Sequence, residues 1–286
     1  MGTSQSSSGS PSSVPLVPPW VPDAPADDGN NQLDPGQEPD GADSGGDAQQ
    51  PTPAPQAPVT VAPRGRFGTA RRDLGSFARS GSTADMRSGV GHYVSKGLGG
   101  ARTATRRFGG TAQTAGTLYG TLSALSSGQA AALGSPLDPA LLEGRSADEI
   151  MDAVVEAVRP VDGTHDTEAR RYAINDALSD VLGRFPEADL LNLTEEQRLF
   201  SIERYIALDV FERFDLDVGK HLRDNAPSVS AELSRFREVK SYIRETVADT
   251  FRNARSSAQT LNSRRISEIV RSALQEAFEV FEGYLS

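Results

Sequence analysis

The chain contains no cysteine. That excludes disulfides, thiolate metal sites and a cysteine nucleophile, and it fits a cytoplasmic protein. Histidine is nearly as scarce: only His92, His165 and His221 occur. They lie far apart and lack HExxH or any similar ligand spacing, so no metal centre is implied. No apolar run approaches the ~20 residues of a membrane helix. The start of the chain lacks the basic and apolar regions of a secretory signal. M-G-T-S-Q-S formally fits a myristoylation pattern, but no basic neighbour supports it and one acyl chain anchors poorly. No membrane partner is expected. Walker A and GxSxG motifs are missing, and G97-L-G-G-A-R has no strand before it. Glu203, Asp209, Glu212 and Asp215 fall in a segment dense with arginine. They read as solvated faces and i,i+4 pairs rather than catalytic carboxylates. No enzyme and no cofactor is expected.

Charge is missing in a pattern. Residues 1–63 hold no Lys or Arg but eight acids: Asp23, Asp27, Asp28, Asp34, Glu38, Asp40, Asp43 and Asp47. Residues 64–110 reverse this, with ten basic residues against Asp73 and Asp85. The remainder is acidic again, so the net charge of −10 conceals an acid, base, acid order. Such blocks can attract one another or serve different partners.

What is present divides the chain into three. Residues 1–63 hold 13 of the 18 prolines. This composition cannot bury enough apolar surface to offset chain entropy, which predicts a disordered tail. Within it, V14-P-L-V-P-P-W-V-P22 carries the only tryptophan, Trp20. Its prolines favour an extended, preorganised segment suited to a partner groove. Residues 64–135 form a basic Gly/Arg-rich segment. Its glycines argue against self-supporting helices or strands, and it reads as a partner-docking region. Residues 111–133 are weakly helical and rich in small side chains, a face suited to a closely packed partner helix.

Residues 136–286 read as an all-α bundle expected to fold by itself. Capping boxes open helices at Ser146–Glu149 and Thr194–Gln197. Between them, 167–183 should turn Tyr172, Ile174, Ala177, Leu178, Val181 and Leu182 inward. A fourth stripe joins Val229, Leu233, Phe236, Val239, Ile243, Val247 and Phe251. A fifth, from about Ser263, contains Ile266, Ile269, Val270, Leu274, Phe278 and Phe281.

The basic segment supports two readings. Arginines with interleaved Phe67, Phe77, Tyr93 and Phe108 can follow a phosphate backbone and stack on bases, making the chain a nucleic-acid adaptor. Arg71, Arg72, Arg106 and Arg107 can equally dock on an acidic protein surface. A third reading is a purely structural scaffold.

The stretches MGTSQSSSGSPSSVPLVPPWVP, FGTARRDLGSFARSG, GVGHYVSKGLGG and RRFGGTAQTAGTLY resemble the B component of the Qat anti-phage defence system. That resemblance implies a bacterial operon with an ATPase, a QueC-like enzyme and a TatD-like nuclease, and a non-catalytic role for this chain among them. Relatives of the QueC-like enzyme activate a carboxylated 7-deazaguanine with ATP for attack by ammonia. A protein α-amine can take the place of ammonia. The resemblance thus marks Gly2, bared by loss of Met1, as a modification site, with Thr3, Ser4 and Gln5 read by the enzyme's cleft. Trp20 and the four arginines are then partner contacts.

Overall fold

The computed structural model describes residues 63–128, 137, 138, 142–161, 165–256 and 261–285, and every regular element among them is helical. Four helices come from the N-terminal half: α1 (Gly68–Ser80), α2 (Thr83–His92), α3 (Ala101–Arg107) and α4 (Gly109–Ser126). Six follow: α5 (Ala147–Val158), α6 (His165–Arg184), α7 (Glu195–Phe214), α8 (Lys220–Asn225), α9 (Val229–Ser256) and α10 (Ser263–Gly283). Two single-turn π-helices interrupt this order, Tyr93–Leu98 after α2 and Asp215–Gly219 after α7.

The helix starts follow local chemistry. Ser146 and Glu149 close a reciprocal capping box at α5, and Thr194 and Gln197 do the same at α7. Each satisfies two of the backbone donors that a helix start leaves unpaired. Asn262 caps α10 by accepting from the Arg265 amide at 2.9 Å.

The glycine-rich segment departs from its expected character. Residues 68–126 are almost wholly helical, and their apolar side chains join those of α5–α10 in one core running from Phe67 to Phe281. The physical reason is where the glycines point. A Cβ on Gly89 would strike the Leu74 side chain, one on Gly97 the Phe67 ring, and one on Gly75 would press on His221. These glycines allow helices to approach closely, which offsets their entropic cost. True chain reversal is confined to places such as Gly99 and Gly100, with φ of 87° and 91°, which separate the first π-turn from α3.

Helix α4 lies against both α7 and α10. Its small-residue face meets a helix, as its composition suggests, but that helix belongs to the same chain. A Cβ on Gly116 would collide with the Ser263 carbonyl oxygen and Ser267 Oγ, and one on Gly120 with Ser263 Oγ. Gly→Ala inside a helix ordinarily stabilises by about 0.5–1 kcal/mol. At Gly116 the sign should reverse. We expect Gly116→Ala to cost about 1–3 kcal/mol, since the obstructing carbonyl is backbone and can yield only by moving α10. Gly183→Ala in α6 is the control, because its Cβ would meet nothing within 4 Å among the described residues. Thermal melts should show Gly116→Ala falling by several degrees while Gly183→Ala holds or rises.

Three inward assignments need correcting. Tyr172 is 69 % exposed, on the outer face of α6, whereas Ile174, Ala177, Leu178 and Val181 are buried as expected. Val229 and Leu233 are 73 % and 54 % exposed. The α9 stripe is covered only from Phe236 onward, where that ring meets Phe211 edge-on. The first two turns of α9 therefore present apolar side chains to solvent.

Candidate anion-binding site

The two π-turns meet. Tyr93 opens the first, and its hydroxyl donates to Asp217 Oδ2 in the second at 3.0 Å. π-turns are rare in helices and are found disproportionately at functional sites. Phe67 fixes the Tyr93 ring by stacking on it, with centroids 5.5 Å apart, and Phe214 meets the ring edge-on at 5.2 Å.

Arginines converge on this contact from four elements. Arg71 of α1 donates Nη2 to the Asp217 carbonyl at 3.0 Å. Arg66 lies 4.8 Å over the Phe67 ring, and Arg213 of α7 lies 5.5 Å over Phe108. Arg107 of α3 is half-buried, and its Nη1 is shielded from solvent without a hydrogen-bond partner among the described residues. Burial pushes the Arg107 pKa down, and the neighbouring Arg66 charge adds to this. Burial also raises Asp217, outweighing the Tyr93 hydrogen bond and Arg213, Arg107 and Arg66, all of which act the other way. Tyr93 is raised well above the usual phenol range, first by burial and then by Asp217. The charges of Arg213, Arg107 and Arg66 thus act together on one carboxylate, with the Arg71 guanidinium on its backbone carbonyl. Guanidinium forks suit carboxylate or phosphate oxygens.

The residues marked in the sequence fare differently. Arg71 and Arg107 come together here. Arg72 is exposed, with Nε 3.7 Å from Asp73, and Arg106 is exposed on α3. Gly2, Thr3, Ser4 and Trp20 lie outside the described residues. Arg66, Arg213 and Asp217 escape the sequence reading, which names Tyr93 only as a stacking ring, because a cluster assembled from the turn before α1, α1, α3, α7 and two π-turns leaves no local spacing. The one available signal was the recurrence of arginine beside aromatics at Arg66–Phe67 and Arg107–Phe108.

The rings of the basic segment are not available for base stacking. Phe67, Phe77, Tyr93 and Phe108 are all in the core. The acids of α7 also differ from expectation: Glu203 and Asp209 are buried, not solvated. Each is committed to a partner. Arg252 grips Glu203 bidentately at 2.9 and 3.0 Å, and Thr111 donates to Asp209. Asp215 accepts both its bonds from Arg223.

One trio has the composition of a hydrolase triad. Ser88 Oγ and Asp73 Oδ2 approach His92 at 3.4 and 2.9 Å, but both at the same atom, Nδ1. A working triad needs serine on one ring nitrogen and aspartate on the other. This trio instead ties α1 to α2. Among the described residues no three His, Asp or Glu are placed to hold a metal, and no helix is long and apolar enough to cross a membrane.

A model of the family described as Qat anti-phage system associated protein QatB matches residues 99–281, from the turn before α3 almost to the end of α10. No curated protein and no solved structure matches the chain.

Proposed function

The chain belongs to the QatB family, a component of an anti-phage defence system, and from that premise we propose that it is a non-catalytic subunit chemically marked at its N-terminus. The mark is a 7-deazaguanine-type base, joined to the α-amine of Gly2 by a QueC-like partner once Met1 is removed. The activated acyl group passes to the amine nitrogen, which loses a proton as the amide forms.

The observation that carries this reading is the sequence Met1-Gly2-Thr3-Ser4-Gln5, set 61 residues ahead of Pro63, where the described core begins. Glycine presents the least hindered amine in proteins. Its pKa of ~7.7–8 leaves a useful neutral fraction near pH 7. At ~5–6 Å × √n, a chain of about 60 residues spans roughly 40–45 Å, enough to enter another protein's active site while the helices stay in place. The operon's ATPase and TatD-like nuclease are the further partners of this reading. Trp20 and the bare apolar turns of α9 are where such partners would dock. The nucleic-acid alternative is less favoured, since its stacking rings are committed to the core.

Intact mass spectrometry tests the proposal on protein made with and without its operon partners. An added mass that maps to the N-terminal peptide only in the presence of the QueC-like enzyme is expected. Gly2→Glu blocks Met1 removal and hinders the amine. It should abolish both the added mass and phage protection while the helical melt stays unchanged. Full protection by Gly2→Glu would leave the scaffold reading.

A further inference from the structure

We propose that the bare first turns of α9 are the seat of the chain's own Val14–Pro22 segment, held there by Trp20 in the full-length protein. This goes beyond the modification reading and stands whether or not Gly2 is modified.

Helix α9 begins two turns before anything covers it. Its start is fully formed: Ser228 Oγ accepts from the Ala231 amide at 3.2 Å, and the Ser228 carbonyl accepts from the Glu232 amide at 2.9 Å. At about 100° per residue, Val229 and Leu233 fall on the same line of the helix as Val247 and Phe251. The latter two are buried and the former two are exposed. The core-facing stripe thus runs on for about 10 Å past the core. Each large apolar side chain left in water forgoes roughly 1.5–3 kcal/mol of burial. Phe236 forms the inner end of this strip, with its ring against Phe211 and the Arg223 guanidinium 4.5 Å over it. By the same helical geometry Arg237 lies on one edge of the strip and Glu232 on the other. Arg237 is exposed and has no ion-pair partner among the described residues. Two exposed side chains and a half-buried ring fall far short of the roughly 800 Å² per partner that a stable dimer buries. So small a site holds only an occupant that is already close by.

The chain supplies one. Val14–Pro22 carries no charge and sets Val14, Leu16, Val17, Trp20 and Val21 among four prolines. Proline-rich segments dock on aromatic-lined surfaces at low ordering cost, and Phe236 gives this surface its ring. Acids follow directly: Asp23, Asp27 and Asp28. They complement Arg237, which sets a direction, with the acidic end of the segment at the Arg237 edge and away from Glu232. The reach also fits. Pro63 stands five positions before α1, and α1 ends against α9, where a Cβ on Gly81 would strike the Arg235 side chain. The length of α1 and the turn before it place the first turns of α9 roughly 20–35 Å from Pro63. The 41 residues from Pro22 to Pro63 span roughly 32–38 Å at ~5–6 Å × √n. A tether whose average length matches the gap gives the highest effective concentration, on the order of mM, which fills even a weak site. The apolar segment and the apolar turns then hide each other until a partner competes for one of them.

Trp20 is the only tryptophan, so its fluorescence reads the proposal directly in the full-length chain. Its emission should be blue-shifted in the unaltered protein. Acrylamide should quench it about threefold less there than in a Val229→Ser, Leu233→Ser double variant, since a mM effective concentration keeps the site mostly filled. Both positions are exposed, so helicity and melting should hold in that variant. Tyr172→Ser, at a similarly exposed site on α6, should leave quenching unchanged. Arg237→Glu should raise quenching at low salt. The chain has no cysteine, so a nitroxide on Ser13→Cys reports location. It should broaden the amide signals of residues 229–237, and the double variant should abolish that broadening. Solvent-exposed Trp20 emission in the unaltered chain overturns the docking. A shielded Trp20 that stays shielded in the double variant overturns α9 as its seat. Shielding that fades on dilution assigns the site to the tail of a second copy and overturns the contact within one chain. None of these outcomes touches the Gly2 reading, which is decided by mass.

Discussion

A chain cut to begin at residue 136 is expected to lose cooperative folding, although its sequence alone reads as a complete bundle. The cut removes α1–α4. Helix α10 then loses α4 along its whole small-residue seam, and Phe278 loses Phe108, whose ring centroid lies 5.2 Å away. Phe214 loses Tyr93 at 5.2 Å. Also lost are the fully buried Leu74, Phe77, Leu98, Leu118 and Leu122. Burying a large apolar side chain is worth about 1.5–3 kcal/mol, against a total stability of about 5–15 kcal/mol for a domain. The loss exceeds what the remaining helices can absorb. Circular dichroism and dye binding should show a non-cooperative melt and exposed apolar surface. The chain beginning at residue 63 should melt in one transition. A single sharp transition for the 136–286 chain, within a few degrees of the longer one, would show that the shared core is dispensable.

Phe278→Asp should be the most damaging single substitution at the centre of this core. Phe278 is 1 % exposed and packs on Phe108 and Phe281. Removing a buried phenylalanine costs about 3–5 kcal/mol as cavity and lost transfer energy. An unpaired carboxylate in its place adds several kcal/mol more, or must take up a proton. The sum reaches the whole stability of a typical domain. Two residues on, Val280 is 39 % exposed on the opposite face of α10. Val280→Asp should change stability by less than about 1 kcal/mol. Urea unfolding of both variants distinguishes the faces. Equal effects would mean that the register of α10 is wrong.

The parts of this fold readable from sequence are those governed by neighbours in the chain. Ser146–Glu149 and Thr194–Gln197 announce helix starts because a cap needs only four consecutive residues. The stripe of α10 is legible because one face is apolar throughout. Tyr172, Val229 and Leu233 mislead because periodicity shows which side chains share a face, not whether anything covers that face. Gly89 and Gly97 mislead more deeply. In a single sequence a glycine that permits contact looks the same as one that permits motion, and only Leu74 and Phe67 tell them apart. The arginine cluster was half visible. Arg71 and Arg107 stand out among their neighbours, but Asp217 and Arg213 lie more than 100 residues further on.

The seam between α4 and α10 also sets an order of events during synthesis. Gly116 and Gly120 leave the ribosome well before Ser263 and Ser267, the residues they fit against. At about 5–20 residues per second, the roughly 150 residues between the two faces take on the order of 7–30 s to translate. Throughout that interval α4 has one face with nothing to rest on. The N-terminal helices must therefore wait for a segment made roughly 150 residues later, so that translation speed and chaperone attendance bear on a correct fold.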